Sequence, residues 1–473
     1  MAAAVTAGII FVLMFVLIVT EKIPRHLATI GCGALTLFVV FGFCMKDFSA
    51  ITCTLNFGEI LTPEFWYHLG KSESVSSGIN WATIFFIAGM MVMVEGMEDS
   101  GFFKYLCMKI ARLAHYRALR VFVAFMLLSA FLSMFIDSIT VILFLAAITA
   151  ELGRLLSFNP VPMILAEVFS ANLGGAATMC GDPPNVIIGT SLGYTFGDFI
   201  GNTGIIAGIS LVVTVIYFVL VSRRELVSKT VNYEELSDDL DPNAVITDKK
   251  AFVISICIFL VTALLLVTHA QTGFTVALIG AFAAVSTIVL AGGKTVELIK
   301  RVDYKTLLFF IGLFIVVGGL EETGVLEMIA GIIGKMSNGN VYAAIGIILI
   351  VSAVASAFVD NIPFAATMIP IIKPLAVSQG IPLETLAWTL ALGTDIGGSA
   401  TPIGASANVV GVAISTKYGN HISWKKFCGY LAPATVIVIA MCMVYLFVRY
   451  LQNHVWAGFC PAFFSFFYPA FII

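Results

Sequence analysis

Two aspartates, Asp137 and Asp360, each lie in the middle of a long apolar run of the chain. An ionised carboxylate at the centre of a bilayer costs about 2.5–3.5 kcal/mol, so such a residue usually faces a cavity, an ion or a charged partner. The two positions therefore predict a buried site that binds a cation or a proton. The alternative is that each carboxylate only caps the helix that follows it, because Asp accepts hydrogen bonds from N–H groups at helix starts.

Both aspartates belong to an internal repeat with a constant offset of 223 residues, the separation between Asp137 and Asp360. The first copy contains SANLGGAATMCGDPPNVIIG, from Ser170 to Gly189, and the second contains GTDIGGSATPIGASANVVG, from Gly393. The same offset pairs Gly174 with Gly397, Gly175 with Gly398, Thr178 with Thr401 and Asn185 with Asn408. An ungapped match of this kind indicates two related halves.

The predicted site combines the aspartates with the glycine and neutral polar residues of both strings. Glycine allows close backbone approach, hydroxyl and amide groups offer donors and acceptors, and the helix starts after the strings favour anions. The candidate ion-binding or substrate-binding residues are Asp137, Ser138, Thr140, Asp360, Asn361, Gly174, Gly175, Thr178, Asp182, Asn185, Asp395, Gly397, Gly398, Thr401, Ser406 and Asn408. A sodium ion or a proton is the expected coupling ion, with Asp137, Asn185, Asp360 and Asn408 as predicted sodium ligands, and no other cofactor is expected.

Some of these assignments have structural alternatives. Asp182 suits a helix cap as well as a ligand, and the glycines also suit tight packing between membrane helices. Asp395 is paired in the repeat with Asn172, so both halves keep a polar side chain at this position. Glu167 has no acidic counterpart, and a role in a pathway and a satisfied buried pair fit it equally well.

The composition of the chain indicates a polytopic membrane protein. Of its 473 residues, 60% are hydrophobic and only 11% are charged, and the mean hydropathy is +1.03. The chain has no basic arm for nucleic acid, and its nine cysteines form no CxxC pair. Because it also lacks a nucleophile–base pair, a metal cluster and a phosphate loop, we do not expect an enzyme.

The apolar runs predict an all-α polytopic membrane protein with about ten transmembrane spans. Runs 118–152 and 340–377 exceed one span and contain the aspartates, so each is predicted to be a broken helix. Segments 160–199 and 381–420 each consist of two short apolar pieces around a turn rich in Gly, Pro and Asn. That pattern predicts a re-entrant hairpin in each half.

Basic residues set the predicted orientation. Segment 101–120 carries five Lys or Arg residues, whereas its repeat equivalent 324–343 carries one, which predicts the cytoplasm for the first and the outside for the second. The halves are thus predicted to be inverted-topology repeats. The predicted division is a first repeat at 1–222, a cytoplasmic linker at 223–250, a second inverted repeat at 251–451 and an aromatic tail at 452–473. Neither duplicated motif contains an arginine, and Arg25 falls on the cytoplasmic side.

The strings GGAATMCGDPPNVIIG, SAFVDNIPFAATMIPII and GGSATPIGASANVV resemble signatures of the ion transporter superfamily, in its branch of arsenite efflux permeases, sodium/proton antiporters and the melanosomal P protein. The resemblance covers nearly the whole chain except 45–80, the linker and the tail. Related dicarboxylate and citrate carriers place Ser-Asn-Thr at the helix breaks, whereas Asp137-Ser138 and Asp360-Asn361 resemble the antiporter and arsenite side. The resemblance implies a homodimer with a scaffold and a moving transport part that works by elevator-type alternating access.

The expected function is secondary active transport of a small inorganic ion, coupled to a proton or sodium gradient. We expect the chain to cross the lipid bilayer of a bacterial or archaeal plasma membrane several times. Two alternatives stay open, a sodium-coupled carrier of dicarboxylate, citrate or another anion, and a passive ion channel.

Overall fold

The computed structural model describes residues 2–20, 22–67, 78–223, 225, 242–246, 248–291, 295–337 and 339–455. Across these residues all regular secondary structure is helical, apart from an isolated β-bridge between Tyr67 and Phe274. The all-α fold class is therefore confirmed. Most of the predicted linker, and the aromatic tail from Trp456, lie outside the described residues.

The first half of the chain runs from the amino terminus to the end of a long apolar helix. Its helices are α1 (Ala2–Thr20), α2 (Arg25–Leu35, continued by a π-helical segment Thr36–Met45), α3 (Phe48–Leu55), α4 (Pro63–Trp66), α5 (Trp81–Asp99), α6 (Phe102–Leu113), α7 (Ala118–Ser133), α8 (Ser138–Leu155), α9 (Val161–Gly175), α10 (Pro183–Leu192), α11 (Phe196–Phe199, continued by a π-helical segment Ile200–Gly204) and α12 (Ile205–Ser222).

The second half repeats the order of the longer helices. It contains α13 (Lys249–Thr272), α14 (Val276–Leu290), α15 (Thr295–Arg301), α16 (Tyr304–Glu322), α17 (Val325–Ser337), α18 (Val341–Phe358), α19 (Asn361–Gln379), α20 (Leu383–Gly397), α21 (Ser406–Lys417) and α22 (Trp424–Val455). A short 3₁₀ helix, Gly398–Ala400, follows α20 directly.

Ten helices among the described residues are long and apolar enough to cross a membrane, which agrees with the predicted number. Their burial differs in a way that separates an outer layer from a core. Only 22% of the most apolar stretch of α1 and 28% of that of α13 are buried within the protein, against 67% for α19. The apolar surfaces of α1 and α13 therefore lie on the outside of the described chain, whereas α19 is mostly surrounded by protein.

The two predicted helix breaks occur at the aspartates. Asp137 precedes α8 with φ −48° and ψ 133°, and Asp360 precedes α19 with φ −47° and ψ 135°. The predicted half-helices are longer than expected, because α8, α18 and α19 have 18, 18 and 19 residues and each is long and apolar enough to span a membrane by itself. Run 340–377 is thus two span-length helices, which is possible because the polar break between them is buried in protein.

Helix packing around the breaks repeats with the offset of the sequence. In the first half α7 packs on α9, and in the second half α18 packs on α20. A Cβ atom at Gly174 would lie 2.1 Å from the carbonyl oxygen of Ala130, and one at Gly397 would lie 2.3 Å from the Cα of Ala353. Both glycines therefore permit the close helix contact that small residues provide in membrane proteins.

Further contacts connect the two halves reciprocally. Helix α8 packs on α21, and α10 packs on α19. Helix α2 crosses α16 at Gly33 and Gly312, and α5 crosses α14 at Gly89 and Gly280. Each half thus contributes helices to the core of the other.

The predicted re-entrant hairpins are not supported by the packing. The arms of a hairpin should lie side by side, but α9 makes few contacts with α10, and α20 makes few with α21. Instead, α10 and α21 pack against α19 and α8 of the opposite half. The sequence pattern of two short helices around a polar turn therefore corresponds to interrupted helices, whose partners come from the other repeat.

Candidate functional site

The turn after α9 and the turn after α20 lie against the two helix breaks. The hydroxyl of Thr178 donates to the carbonyl oxygen of Met134 over 2.5 Å, and the hydroxyl of Thr401 donates to that of Ala357. These carbonyls lie where the helical hydrogen-bond ladder stops, so they need a donor from elsewhere. The two predicted threonines therefore join each interrupted helix to the break of its own half.

Two asparagines close these turns. Asn185 Nδ2 donates to the carbonyl oxygens of Gly175 and Thr178, both over 3.1 Å. Asn408 Nδ2 donates to the equivalent oxygens of Gly398 and Thr401 over 2.8 and 2.7 Å. Both amide hydrogens of each side chain are therefore engaged with backbone carbonyls.

Asp182 joins the two halves at the centre of the site. Its Oδ1 accepts from the hydroxyl of Ser138 over 3.1 Å, and its Oδ2 accepts from Nδ2 of Asn361 over 2.8 Å. The carboxylate makes no side-chain capping bond to α10, although it precedes that helix. Of the two roles open to Asp182, the geometry therefore favours the polar site over the cap.

Asp360 is both a cap and half of an ion pair. Its Oδ1 accepts from the backbone N–H of Ile362 over 3.2 Å. Its Oδ2 lies 2.5 Å from Nη1 of Arg25 and 2.9 Å from Oγ of Ser406. The side chain of Asp360 is only 3% exposed, so the guanidinium offsets the cost of a buried carboxylate.

Arg25 was missed by sequence reasoning. It is the first residue of α2 and is separated from Asp360 by 335 residues. An arginine at the start of a membrane helix resembles the basic residues that commonly flank a span on its cytoplasmic side. No signal in either duplicated motif pointed to it.

Asp137 has a different environment from its repeat equivalent. Its Oδ2 accepts from the backbone N–H of Thr140 over 3.3 Å and from the hydroxyl of Thr140 over 3.4 Å, whereas its buried Oδ1 has no partner among the described residues. The residue lines a cavity of about 210 Å³ between α5, α8 and the start of α16. Charged residues also line this cavity, namely Glu95, Glu98, Arg301 and Asp303.

A second polar group lies deeper, where α9 and α20 meet the opposite half. Asn172 Nδ2 donates to Oδ1 of Asn408 over 2.9 Å and to the hydroxyl of Ser399 over 3.0 Å. Asp395, the repeat equivalent of Asn172, is fully buried and contacts the side chain of Asn185. Among the residues that the structure describes, none other than Asn185 is close enough to donate a hydrogen bond to the carboxyl group of Asp395, and the geometry of that contact is poor.

The predicted site residues therefore divide into distinct groups. The group at the helix breaks contains Asp137, Ser138, Thr140, Asp182, Asp360, Asn361 and Ser406. The turns contain Gly175, Thr178, Gly398 and Thr401, and the deeper group contains Asn185, Asp395 and Asn408. Two glycines, Gly174 and Gly397, serve helix packing. The four predicted sodium ligands fall into two of these groups, and sodium binding by them stays a prediction.

Glu167 lies within α9 and is fully buried. Its Oε1 accepts from the hydroxyl of Thr149 on α8 over 2.5 Å, while no donor to its Oε2 occurs in the described part of the chain. Within the part of the chain that the structure describes, no three His, Cys, Asp or Glu residues come together as a metal site. Glu167 is thus part of the contact between α8 and α9 and lies apart from the groups above.

Comparison with known proteins relates most of the chain to transporters. Residues 15–393 match the citrate transporter family CitMHS. A Mycobacterium tuberculosis protein described as an uncharacterized transporter is 34% identical over 452 residues, which are 94% of this chain and 99% of that protein. The human P protein is 29% identical, over 81% of this chain and 55% of its own length.

Solved structures support the fold. The chain is similar to the YdaH transporter of Alcanivorax borkumensis, with a TM-score of 0.56 and 14% identity over 96% of this chain and 98% of that one. It is also similar to MtrF of Neisseria gonorrhoeae, from a class of antimetabolite efflux pumps, with a TM-score of 0.54 and 13% identity over 94% of both chains. At these identities the likeness concerns the fold alone.

Proposed function

The chain belongs to the citrate transporter family, and from that premise we propose that this multi-pass membrane transporter is a secondary active transporter of a small inorganic ion. The transport is coupled to a proton or sodium gradient, with Asp137 and Asp360 as coupling carboxylates. The mycobacterial relatives agree with a bacterial plasma membrane.

One observation carries the proposal, the convergence of polar side chains from both halves on Asp182. Ser138 of the first half and Asn361 of the second half bind the same carboxylate. A repeat-related pair of interrupted helices that meet at one polar site is typical of alternating access in secondary transporters.

The charge of the site favours a positively charged or neutral species. The group at the helix breaks contains three aspartates, Asp137, Asp182 and Asp360, and the guanidinium of Arg25. Asp395 lies deeper, and the cavity beside Asp137 adds three carboxylates and the guanidinium of Arg301. In a medium of low dielectric constant an unpaired carboxylate attracts a proton or a cation strongly. A bare polyanion would meet net repulsion unless some of these carboxylates were neutral.

A second candidate is an anion carrier for dicarboxylate, citrate or a similar species. Two observations favour it, the description of the matching family and the presence of Arg25 beside the helix break. An arginine fork recognises carboxylates in a bidentate manner, and the starts of α10 and α21 present N–H groups that favour anions. Anion binding would require Arg25 to leave Asp360.

A homodimer with elevator-type motion completes the proposal. It is supported by the resemblance of the motifs to the ion transporter superfamily. It is also compatible with the reciprocal packing of α8 on α21 and α10 on α19, because helices that are interlocked in this way would move as one body.

Flux into proteoliposomes containing the purified protein tests the proposal. Sodium, arsenite, chloride, dicarboxylates and citrate are supplied one at a time, with and without a pH gradient and a sodium gradient. We expect saturable uptake of one cation or of arsenite, and accumulation above equilibrium when a gradient is imposed. Accumulation of citrate or a dicarboxylate would favour the anion carrier instead. Flux that never saturates and cannot build a gradient would contradict both, and would favour a channel.

A further inference from the structure

An apolar groove lies on the surface of the second half, between α18 and α22. Its volume is about 590 Å³, and its walls include Ile350 and Phe358 of α18 and side chains of α22 from Trp424 to Met443. None of the described residues that line the groove is charged. Small-molecule and cofactor sites have volumes of about 300–1,000 Å³ and are mostly apolar, so the groove has the size and the character of a binding site.

The inner wall of the groove belongs to the break of the second half. Ala400 and Thr401, in the turn after α20, line it together with Ala357. The hydroxyl of Thr401 donates to the carbonyl oxygen of Ala357, and the hydroxyl of Thr435, also in the lining, donates to the carbonyl oxygen of Leu431 over 2.9 Å. Because both hydroxyls are engaged with backbone, the chemistry that suits this lining is hydrocarbon.

In the first half, aromatic side chains cover the equivalent position. The offset of 223 residues maps Phe358 onto Phe135. The ring centroid of Phe135 lies 5.9 Å from that of Phe196 on α11 and 6.3 Å from that of Phe259 on α13. Phe358, in contrast, is 56% exposed. The second break thus presents an apolar side where the first break is packed against protein.

One end of the groove has an aromatic and a basic residue at the start of α22. Trp424, the first residue of the helix, lines the groove and is half exposed. Lys425 follows it, is exposed, and lies about one helical turn before Cys428, which also lines the groove. Tryptophan is enriched at membrane–water interfaces, and lysine near a membrane surface attracts anionic headgroups. This end of the groove therefore suits the headgroup level of a bilayer.

The sequence around this end is basic. From Ile396 to the carboxyl terminus the chain contains no Asp or Glu, whereas segment 417–426 contains Lys417, Lys425 and Lys426. Lys426 pairs with Glu225 over 3.3 Å, and both Lys417 and Lys425 are exposed. An anionic group is complementary to this surface, because each basic residue near it adds to the attraction.

We propose that the groove binds an anionic phospholipid, with one acyl chain along α22 against Phe358 and the headgroup at Lys425. The acyl chain gives the second break the apolar cover that Phe196 and Phe259 give the first. The groove follows a helix that is long and apolar enough to span a membrane, which is the direction of a lipid chain. This binding requires only the membrane location of the chain and is independent of the transported species and of its coupling ion.

A phospholipid suits this surface better than a second copy of the chain. In a symmetric dimer the same patch of both copies forms the interface. A dimer centred on the groove would therefore bring Lys417 and Lys425 of one copy towards the same lysines of the other, and like charges repel. An anionic headgroup has the opposite effect.

Photo-crosslinking locates the acyl chain. The purified protein is reconstituted into phosphatidylcholine vesicles that contain phosphatidylglycerol with a diazirine on one acyl chain, and labelled residues are identified by mass spectrometry. We expect label on the residues that line the groove, such as Cys428 and Met443, and loss of this label in Val436→Trp, whose indole fills part of the groove. Val444→Trp is the matched control, because Val436 and Val444 are 67% and 62% exposed on the same helix and only Val436 lines the groove. Groove labelling that Val436→Trp does not reduce would overturn the proposal.

Native mass spectrometry tests the headgroup. Wild type is incubated with equal amounts of phosphatidylglycerol and phosphatidylcholine that carry the same acyl chains, and we expect it to retain phosphatidylglycerol preferentially. Lys425→Gln should retain about fivefold less phosphatidylglycerol, the change that corresponds to about 1 kcal/mol for one basic residue. Lys335→Gln, at an exposed lysine of α17, should bind as wild type does.

Two results of these measurements would contradict the lipid site. Equal retention of the two lipids by wild type, or unchanged retention in Lys425→Gln, would overturn the headgroup position. Dissociation of a dimer by Val436→Trp with unchanged lipid retention would mean that the groove is an interface between copies of the chain. Because Lys425→Gln changes only an exposed side chain, it decides the question even if Val436→Trp does not fold.

Discussion

The two central aspartates have the same backbone geometry but different partners. Asp360 is paired with Arg25 and Ser406, whereas Asp137 has a free Oδ1 and lines a cavity. A carboxylate that is already neutralised by a guanidinium has little affinity left for another cation. Within the proposed function, Asp137 is therefore the aspartate that is open to an incoming ion in this conformation.

Replacement of each aspartate by asparagine should separate transport from stability. We expect Asp137→Asn and Asp360→Asn each to abolish gradient-driven flux in proteoliposomes, because each removes a charge from the site. Only Asp360→Asn should also destabilise the fold, since breaking a buried ion pair costs about 3–5 kcal/mol. Flux assays and thermal unfolding in detergent measure the two effects.

Arg25→Gln provides the matched control for the stability effect. It removes the cationic partner of the same ion pair, and we expect its unfolding temperature to be lowered about as much as that of Asp360→Asn. The double variant Arg25→Gln/Asp360→Asn should recover part of the loss, because no unpaired charge is left. Full coupled transport by both single aspartate variants would contradict the role given to the carboxylates.

The ion pair also marks a limit of sequence reasoning. Asp137 and Asp360 were predictable because a charge within an apolar run is rare and costly. The duplicated strings likewise predicted Thr178, Asn185 and their equivalents, since an offset of 223 residues repeats them in register. The approach of Arg25 was not predictable, because a contact between residues 335 positions apart depends on how α2 packs, and one sequence contains no signal of that packing.

Among the helices, the interruptions were predicted more accurately than the packing partners. Proline, glycine and aspartate interrupt a helical ladder locally, so their positions in the sequence are informative. The hairpin interpretation assumed that two short helices joined by a turn pack on each other. In the structure α10 and α21 pack instead on α19 and α8 of the opposite half, since the reciprocal partners supply the apolar surface that a short arm cannot.

The crossing of α7 and α9 depends on the absence of a side chain at Gly174. A Cβ atom there would lie 2.1 Å from the carbonyl oxygen of Ala130, so the helices would have to separate in Gly174→Ala. Overpacking of this kind typically costs about 1–3 kcal/mol. We expect a lower unfolding temperature and reduced flux, because the turn after α9 carries Thr178 and leads into Asp182.

Gly397→Ala should reproduce this effect in the second half, where the crossing with Ala353 is equally close. Gly208→Ala in α12 is the control, because no heavy atom lies within 4 Å of the added Cβ. Its unfolding temperature should stay at or slightly above that of wild type, since alanine favours the helix over glycine. Equal stability of Gly174→Ala and Gly208→Ala would contradict the packing role of Gly174.

Taken as a whole, the chain consists of two halves whose contacts correspond under one offset. The crossing of α7 with α9 matches that of α18 with α20, and the packing of α8 on α21 matches that of α19 on α10. Such reciprocity agrees with a duplicated gene whose two products fold together. The inverted orientation of the two halves across the membrane is a prediction from the distribution of basic residues.

Labelling of matched cysteines tests that orientation. Lys104 of α6 and Glu327 of α17 are related by the offset of 223 residues, and both are exposed. In a background without the native cysteines, Lys104→Cys and Glu327→Cys are treated with a membrane-impermeant maleimide in intact cells. We expect Glu327→Cys to react from outside and Lys104→Cys to react only after permeabilisation, because five basic residues hold segment 101–120 in the cytoplasm. Reaction of both cysteines from the same side would mean that the repeats are parallel. The two polar turns would then approach the site from one side of the membrane. That arrangement would contradict alternating access between inverted halves.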